Sequence, residues 1–162
     1  MKKIAILINA FNPGGAEKVV SLLMPHFVKK FDVKLILLSD EKLFYPVPDE
    51  VEVINLSKKI DSSFFKLLML PVYAFRLKRI VKKEKIEVVQ SHLYRASYVN
   101  ILAKFFGSKH TAHVVNSTIA GRYKSQGLLG KTNLFLIKKL YGYAEKMIFK
   151  SHGMKKDFSN FI

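Results

Sequence analysis

Short, predominantly apolar runs alternate along this chain with longer stretches whose apolar residues recur every three or four positions. That alternation restricts the fold more than any other feature. Ile4-Ala5-Ile6-Leu7-Ile8 carries no polar residue, as a strand buried on both faces of a sheet requires. A turn-rich segment follows at residues 9–15, with Asn12-Pro13-Gly14-Gly15 at its centre. A helix then starts near Ala16, with Val19, Val20, Leu23 and Phe27 as its inner stripe. Residues 33–38 read as a second buried strand and residues 51–54 as a short third, reached through a loop containing Pro46 and Pro48. Asp61-Ser62-Ser63 suits the start of a long helix reaching Lys85, which Pro71 should kink or divide. Residues 86–89 read as a fourth strand, 95–106 as a helix closed by Gly107, and 111–115 as a fifth strand. Beyond the polar loop 116–130 come a helix at 131–143, a sixth strand at 147–149 and a last helix from Gly153 to Phe161.

This order predicts right-handed crossovers and an α/β fold. The expectation is a Rossmann-like, doubly wound parallel sheet of about six strands with helices on both faces, as one domain over residues 1–162. Ligands of such sheets bind beyond the C-terminal ends of the strands, which singles out the loops 9–15, 91–95, 116–130 and 151–153.

Apolar residues make up 49% of the chain and charged ones 25%, the balance of a globular domain. With no cysteine, a disulfide scaffold, a thiolate metal site and a thiol nucleophile are all excluded. Lys and Arg number 28 against 12 Asp and Glu, a net charge of +16 concentrated in the C-terminal half. Such a field favours an anionic partner: a phosphate-bearing ligand, acidic lipid or nucleic acid. With neither a recognised nucleic-acid motif nor an aromatic stacking pattern, a nucleic acid is not expected. No apolar run is long enough to span a bilayer, and the run after Lys2-Lys3 is too short for a secretory signal core.

Between the first strand and the first helix, Gly14 and Gly15 let the backbone come close to a ligand. The helix N-terminus adds partial positive charge, which suits a phosphate or an acceptor hydroxyl; a plain tight turn has the same sequence. Neither G-x-G-x-x-G nor G-x-x-x-x-G-K-[ST] is present, so nicotinamide binding and P-loop hydrolysis are disfavoured. His92 and His152 follow strands at the cleft end, whereas His110 and His113 point to opposite faces of one strand and cannot share a metal. No metal site and no cofactor are expected. Arg95 and Arg122 lie in cleft loops, where a guanidinium could grip phosphate or carboxylate or simply stand in solvent.

Three segments, in this order, resemble family-4 glycosyltransferases. Asn12-Pro13-Gly14-Gly15-Ala16-Glu17-Lys18 resembles the family's G-G-A-E-[RK] opening. Ser91-His92-Leu93-Tyr94-Arg95-Ala96 resembles its S-H-L-x-[RA]-A segment. Residues 143–158, including Ser151-His152-Gly153-Met154-Lys155-Lys156-Asp157-Phe158, resemble its A-D-x-I-x-x-V-S-x-x-M-K-x-D-[FL] stretch.

The resemblance implies the N-terminal, acceptor-side half of a GT-B fold. It implies sugar transfer from a nucleotide-sugar with retention and without a metal, in bacterial surface polysaccharide or glycolipid synthesis on the cytoplasmic side. The implied partners are a C-terminal donor-binding domain, which this chain does not include, and a sugar or lipid-linked acceptor; alone, the chain is expected to be inactive. Gly14 and Gly15 would face the donor phosphates, and Ser91, His92, Arg95 and Arg122 the acceptor. Where the family often carries a His-Asn pair, the chain reads His113-Val114-Val115-Asn116-Ser117. Either Val115 or Asn116 takes the histidine's place, depending on alignment; the catalytic candidate is Asn116, which can hydrogen-bond a hydroxyl but cannot carry a proton. The alternative is a non-catalytic, membrane-recruiting subunit of a split glycosyltransferase.

Residues 64–75 are apolar almost all round and are followed by Arg76, Lys78, Arg79, Lys82, Lys83 and Lys85. Either the whole tract is core beneath a solvated basic face, or part of it is exposed and meets an anionic membrane surface. The apolar surplus beyond one helical face favours the second, peripheral placement.

Overall fold

The computed structural model describes residues 1–58, 62–116 and 127–161. The strands are β1 Lys2–Ile8, β2 Phe31–Leu37, β3 Glu52–Asn55, β4 Val88–His92, β5 Thr111–Asn116 and β6 Lys146–Phe149. The helices are α1 Gly15–Phe27, α2 Ser63–Leu68, α3 Leu70–Glu84, α4 Tyr94–Phe105, α5 Gly127–Leu140 and α6 His152–Phe161, with one 3-10 turn at Tyr141–Tyr143. The six strands form one sheet in the order β3-β2-β1-β4-β5-β6, and every pair is parallel. This is the doubly wound Rossmann-like sheet that the alternation predicts.

Alternate residues of β1 serve opposite faces, which is why that run is apolar throughout. Ile6 and Ile8 pack with Ala16, Val20 and Met24 of α1 and with Leu35 and Leu37 of β2. Ala5 and Leu7 pack with Tyr73, Ala74 and Leu77 of α3 and Val99 and Ile101 of α4. The inner stripe of α1 differs from the expected one. Ala16, Val20 and Met24, four apart, are buried, while Val19 is 40% exposed. Val19 and Val20 are a helical step apart, so only one of them can face the sheet.

Pro71 divides the long helix as expected. α2 ends at Leu68, Met69 joins the two helices, and Pro71 lies in the first turn of α3, where its missing N–H costs nothing. The start of that helix at Asp61 lies outside the described residues. Strand β4 begins later than the apolar run suggests, because Lys85 takes a left-handed conformation (φ 57°) and the Ile86 N–H still bonds the Val81 carbonyl of α3. It then runs on through polar Gln90-Ser91-His92, paired with β1 and β5. Gly107 (φ 81°) ends α4 in a Schellman arrangement: its N–H bonds the Lys104 carbonyl and the Ser108 N–H bonds the Ala103 carbonyl.

Candidate functional site in the crevice between β1 and β4

The chain leaves β1 toward one face of the sheet and β4 toward the other. A crevice therefore opens beyond the C-terminal ends of these two neighbouring strands. Asn9 at the end of β1 bridges it: its Oδ1 accepts the Ala96 N–H at 3.1 Å. α4 has no cap from its own N-terminal residue, so Asn9 satisfies one of its orphan donors from 87 residues away. The glycine loop and the Ser91–Ala96 segment are thereby held in one piece.

The glycine loop is braced from the other side by the loop between β2 and β3. The Tyr45 hydroxyl accepts the Gly14 N–H at 3.3 Å, and the Tyr45 ring stands edge-on to Phe11 at 6.1 Å. Asn12 Nδ2 donates to Glu41 Oε2. A side chain at Gly14 would meet the Glu17 carboxylate, whereas a Cβ at Gly15 would meet nothing within 4 Å. Gly15 thus presents bare backbone at the first turn of α1, where the amides of a helix N-terminus have no acceptor within the helix. Beside this loop lies a cavity of about 430 Å³ lined by Asn12, Pro13, Lys42, Leu43 and Phe44.

The candidates from the second segment divide by face. Ser91 points away from the crevice and is fully buried. Its hydroxyl lies 3.2 Å from the His113 carbonyl and 3.3 Å from Ser97 Oγ, and it accepts from Asn100 Nδ2 at 3.1 Å. His92, the last residue of β4, is buried on the other face, where Gln90 Nε2 donates to its Nε2 at 3.0 Å. Burial drives its pKa down to about 4, and the Lys150 ammonium adds to the effect. His92 is therefore neutral, accepting at Nε2 and carrying its proton on Nδ1. Leu93 turns the chain with φ 68° and ψ 154°, a region that strongly favours glycine. The side chain of Arg95 follows, half-buried, and its Nε is enclosed with no hydrogen-bond partner among the described residues.

Asn116 is the last residue of β5, fully buried and paired in register with Phe149 of β6. Arg122 lies outside the described residues. His152 is exposed at the first turn of α6, whose N-terminus is capped by Ser151 Oγ accepting the Met154 N–H at 3.2 Å. Lys150, Ser151, His152, Lys155 and Phe149 line a cavity of about 340 Å³ there. Among the described residues, no three His, Asp or Glu side chains gather where they could hold a metal ion.

Sequence reasoning missed Asn9, Tyr45 and Gln90. Asn9 could have been noticed as a short polar side chain directly after the first strand, beside a helix with no cap of its own. Nothing local marks Tyr45, whose role comes from a contact 31 residues away. His110, dismissed as a ligand, is instead the hub of a buried network. Its Nε2 donates to Asn100 Oδ1 at 2.8 Å and its Nδ1 accepts from Ser108 Oγ at 2.8 Å. Burial, aided by Lys104, holds its pKa near 4 against the opposing pull of Glu145.

A parallel sheet in this order, with a glycine-bearing helix N-terminus at the switch point, is a Rossmann-like domain of the kind that GT-B glycosyltransferases contain. The chain belongs to glycosyltransferase family 4, whose family model matches residues 13–161. It is 33% identical over 160 residues to the N-acetylgalactosamine-N,N'-diacetylbacillosaminyl-diphospho-undecaprenol 4-alpha-N-acetylgalactosaminyltransferase of Campylobacter jejuni. The match covers 97% of this chain and 43% of that enzyme. Among solved structures, sucrose-phosphate synthase from Thermosynechococcus elongatus is similar with a TM-score of 0.77 at 12% identity, over 98% of this chain and 45% of that one. The lipopolysaccharide outer core galactosyltransferase WaaB in its apo form gives a TM-score of 0.70 at 18% identity, over 98% and 42%. The chain thus spans less than half the length of these relatives.

Proposed function

We propose that this chain is the acceptor-side half of a retaining glycosyltransferase that draws on a nucleotide-sugar and extends a lipid-linked or saccharide acceptor in bacterial surface-glycan assembly. The Asn9–Ala96 hydrogen bond carries the reading, because it ties the loop that leads into the first family segment to the end of the second, in one crevice wall. The name of the Campylobacter jejuni relative, a sugar transferase acting on a diphospho-undecaprenol glycan, supports the substrate class.

In this reading the donor diphosphate approaches the open backbone at Gly15 and the first-turn amides of α1, which have no acceptor within the helix, and a donor-binding half supplies the remaining contacts. Arg95 meets the acceptor with a guanidinium that no group among the described residues has claimed at Nε. His92 and Ser91 act beneath it as positioning residues, the first held neutral, the second tied to α4. Asn116 orients a hydroxyl and moves no proton. The contribution of this half is placement of the acceptor oxygen. The place of work is the inner face of a membrane. No helix among the described residues is long and apolar enough to cross one.

The test is transfer from UDP-N-acetylgalactosamine to an undecaprenyl-diphosphate saccharide by the full polypeptide that carries this chain. The expected product keeps the donor's anomeric configuration. Inversion would overturn the retaining assignment, and failure to bind any nucleotide-sugar would overturn the transferase reading.

A further inference from the structure

Five of the nine polar side chains buried among the described residues gather between β4, β5 and α4: Ser91, Ser97, Asn100, Ser108 and His110. They form one hydrogen-bonded chain. Asn100 Oδ1 needs a donor, so the His110 ring carries its proton on Nε2 and accepts the Ser108 hydroxyl on Nδ1, both at 2.8 Å. Asn100 Nδ2 donates in turn to Ser91 Oγ at 3.1 Å. The Ser91 hydroxyl reaches Ser97 Oγ at 3.3 Å, with the His113 carbonyl at 3.2 Å as its other acceptor. Ser97 Oγ donates to the Leu93 carbonyl at 3.0 Å. The chain runs the length of β4, from Ser108 just before β5 to Leu93 just past the last residue of β4, and its donors point one way. Hydrogen bonds aligned in this way polarise one another, and each strengthens the next.

The chain ends on the turn between β4 and α4. The Leu93 carbonyl takes two bonds there, from the Ser97 N–H and from the Ser97 hydroxyl, each at 3.0 Å. Both of its lone pairs are then used, which fixes the plane of the Leu93–Tyr94 peptide. Leu93 needs such fixing, because its φ of 68° and ψ of 154° persist only where the surroundings over-determine them. From the other side Asn9 holds the Ala96 N–H. Arg95 stands between these two clamps. With no partner at Nε among the described residues, its direction follows from the backbone that carries it. Packing alone does not ask for this arrangement. Ala96, Val99, Ile101 and Ala103 of the same helix meet the core through apolar atoms, at no desolvation cost. A polar network with its members satisfied selects one arrangement of the groups it joins.

We propose that Ser97, with Asn100 and His110 behind it, is the positioning element that holds the Leu93 turn and thereby points Arg95 at the acceptor. All three side chains are buried and act through Arg95, not on a substrate. The task given to Arg95 rests on the acceptor-side function proposed above; the hold on the turn does not.

Two measurements test this. In the purified protein, the Arg95 Nε–H resonance and the Tyr94 amide resonance report the turn. Ser97→Ala and His110→Leu should displace both. His110→Gln, whose amide can again donate to Asn100, should bring them back toward the wild-type positions. A histidine that served packing alone would leave the distant Arg95 signal where it is in both variants. Ser97→Ala exchanges a hydroxyl for the best helix former, so it keeps the test open if His110→Leu does not fold. In the full polypeptide, Ser97→Ala should raise the acceptor KM about fivefold, the value of one net hydrogen bond, with the donor KM unchanged. In an Arg95→Ala background the same change should leave the acceptor KM alone, because it acts through that side chain. An unmoved Arg95 resonance in the variants that fold, or the same KM effect with and without Arg95, would overturn the proposal. A polypeptide that transfers no sugar would sink the transferase reading, and the resonances would then decide the turn by themselves.

Discussion

Asn9 Oδ1 accepts the Ala96 N–H at 3.1 Å, so the end of β1 caps the helix that follows β4. Removing that acceptor leaves an amide of α4 unsatisfied at a partly buried end. Asn9→Ala should lower stability by about 1 kcal/mol, and Asn9→Asp should retain most of it. Urea denaturation of the three proteins checks this; equal midpoints would show that the contact contributes nothing.

Gly15 separates folding from function. A Cβ there meets nothing within 4 Å, and its backbone lies at the start of an ordinary helix. Gly15→Val should change stability by no more than about 0.5 kcal/mol. In the full polypeptide it should raise the donor KM or lower kcat at least tenfold, because its side chain fills the approach to the backbone. Unchanged donor kinetics would remove the glycine loop from the site.

Acid should destabilise the domain through its buried histidines. His92 and His110 each titrate near pH 4 in the folded protein against 6.5 as the ordinary value, both chiefly through burial. Between those values the unfolded chain binds more protons than the folded one. Stability is therefore fully present above about pH 6.5 and is lost as pH falls through about 4. Each histidine contributes on the order of 3 kcal/mol to that loss. Urea midpoints at pH 7, 5 and 4 measure it, and His110→Gln should flatten the slope. A flat profile in the unaltered protein would contradict the buried neutral assignment.

Leu93 occupies a backbone region that glycine adopts without strain. Its side chain also packs against the α1-side core, so both truncations lose contacts. Leu93→Gly should nevertheless be about 1 kcal/mol more stable than Leu93→Ala, the reverse of the usual order. Thermal or urea unfolding of the pair decides it; alanine ranking above glycine would show that the turn carries no strain.

The apolar run of β1 and the run at residues 35–38, at the end of β2, pointed to a buried parallel sheet by themselves, because a strand between two helical layers has no polar face to offer. Gly107, Pro71 and the glycine loop were legible for similar local reasons, since each imposes its own backbone geometry. The extension of β4 through Gln90-Ser91-His92 was not. Polar residues enter a buried strand only when distant groups satisfy them, here Asn100 for Ser91. The alternation of residues 64–75 showed more apolar surface than one face needs, but only the packing of α3 on the sheet decided which rings stay outside. For the same reason the sequence could place Ser91 and His92 at one strand end, while the fold alone decided their directions. Side-chain period along β4 puts them on opposite faces, and the helix across the sheet draws Ser91 inward.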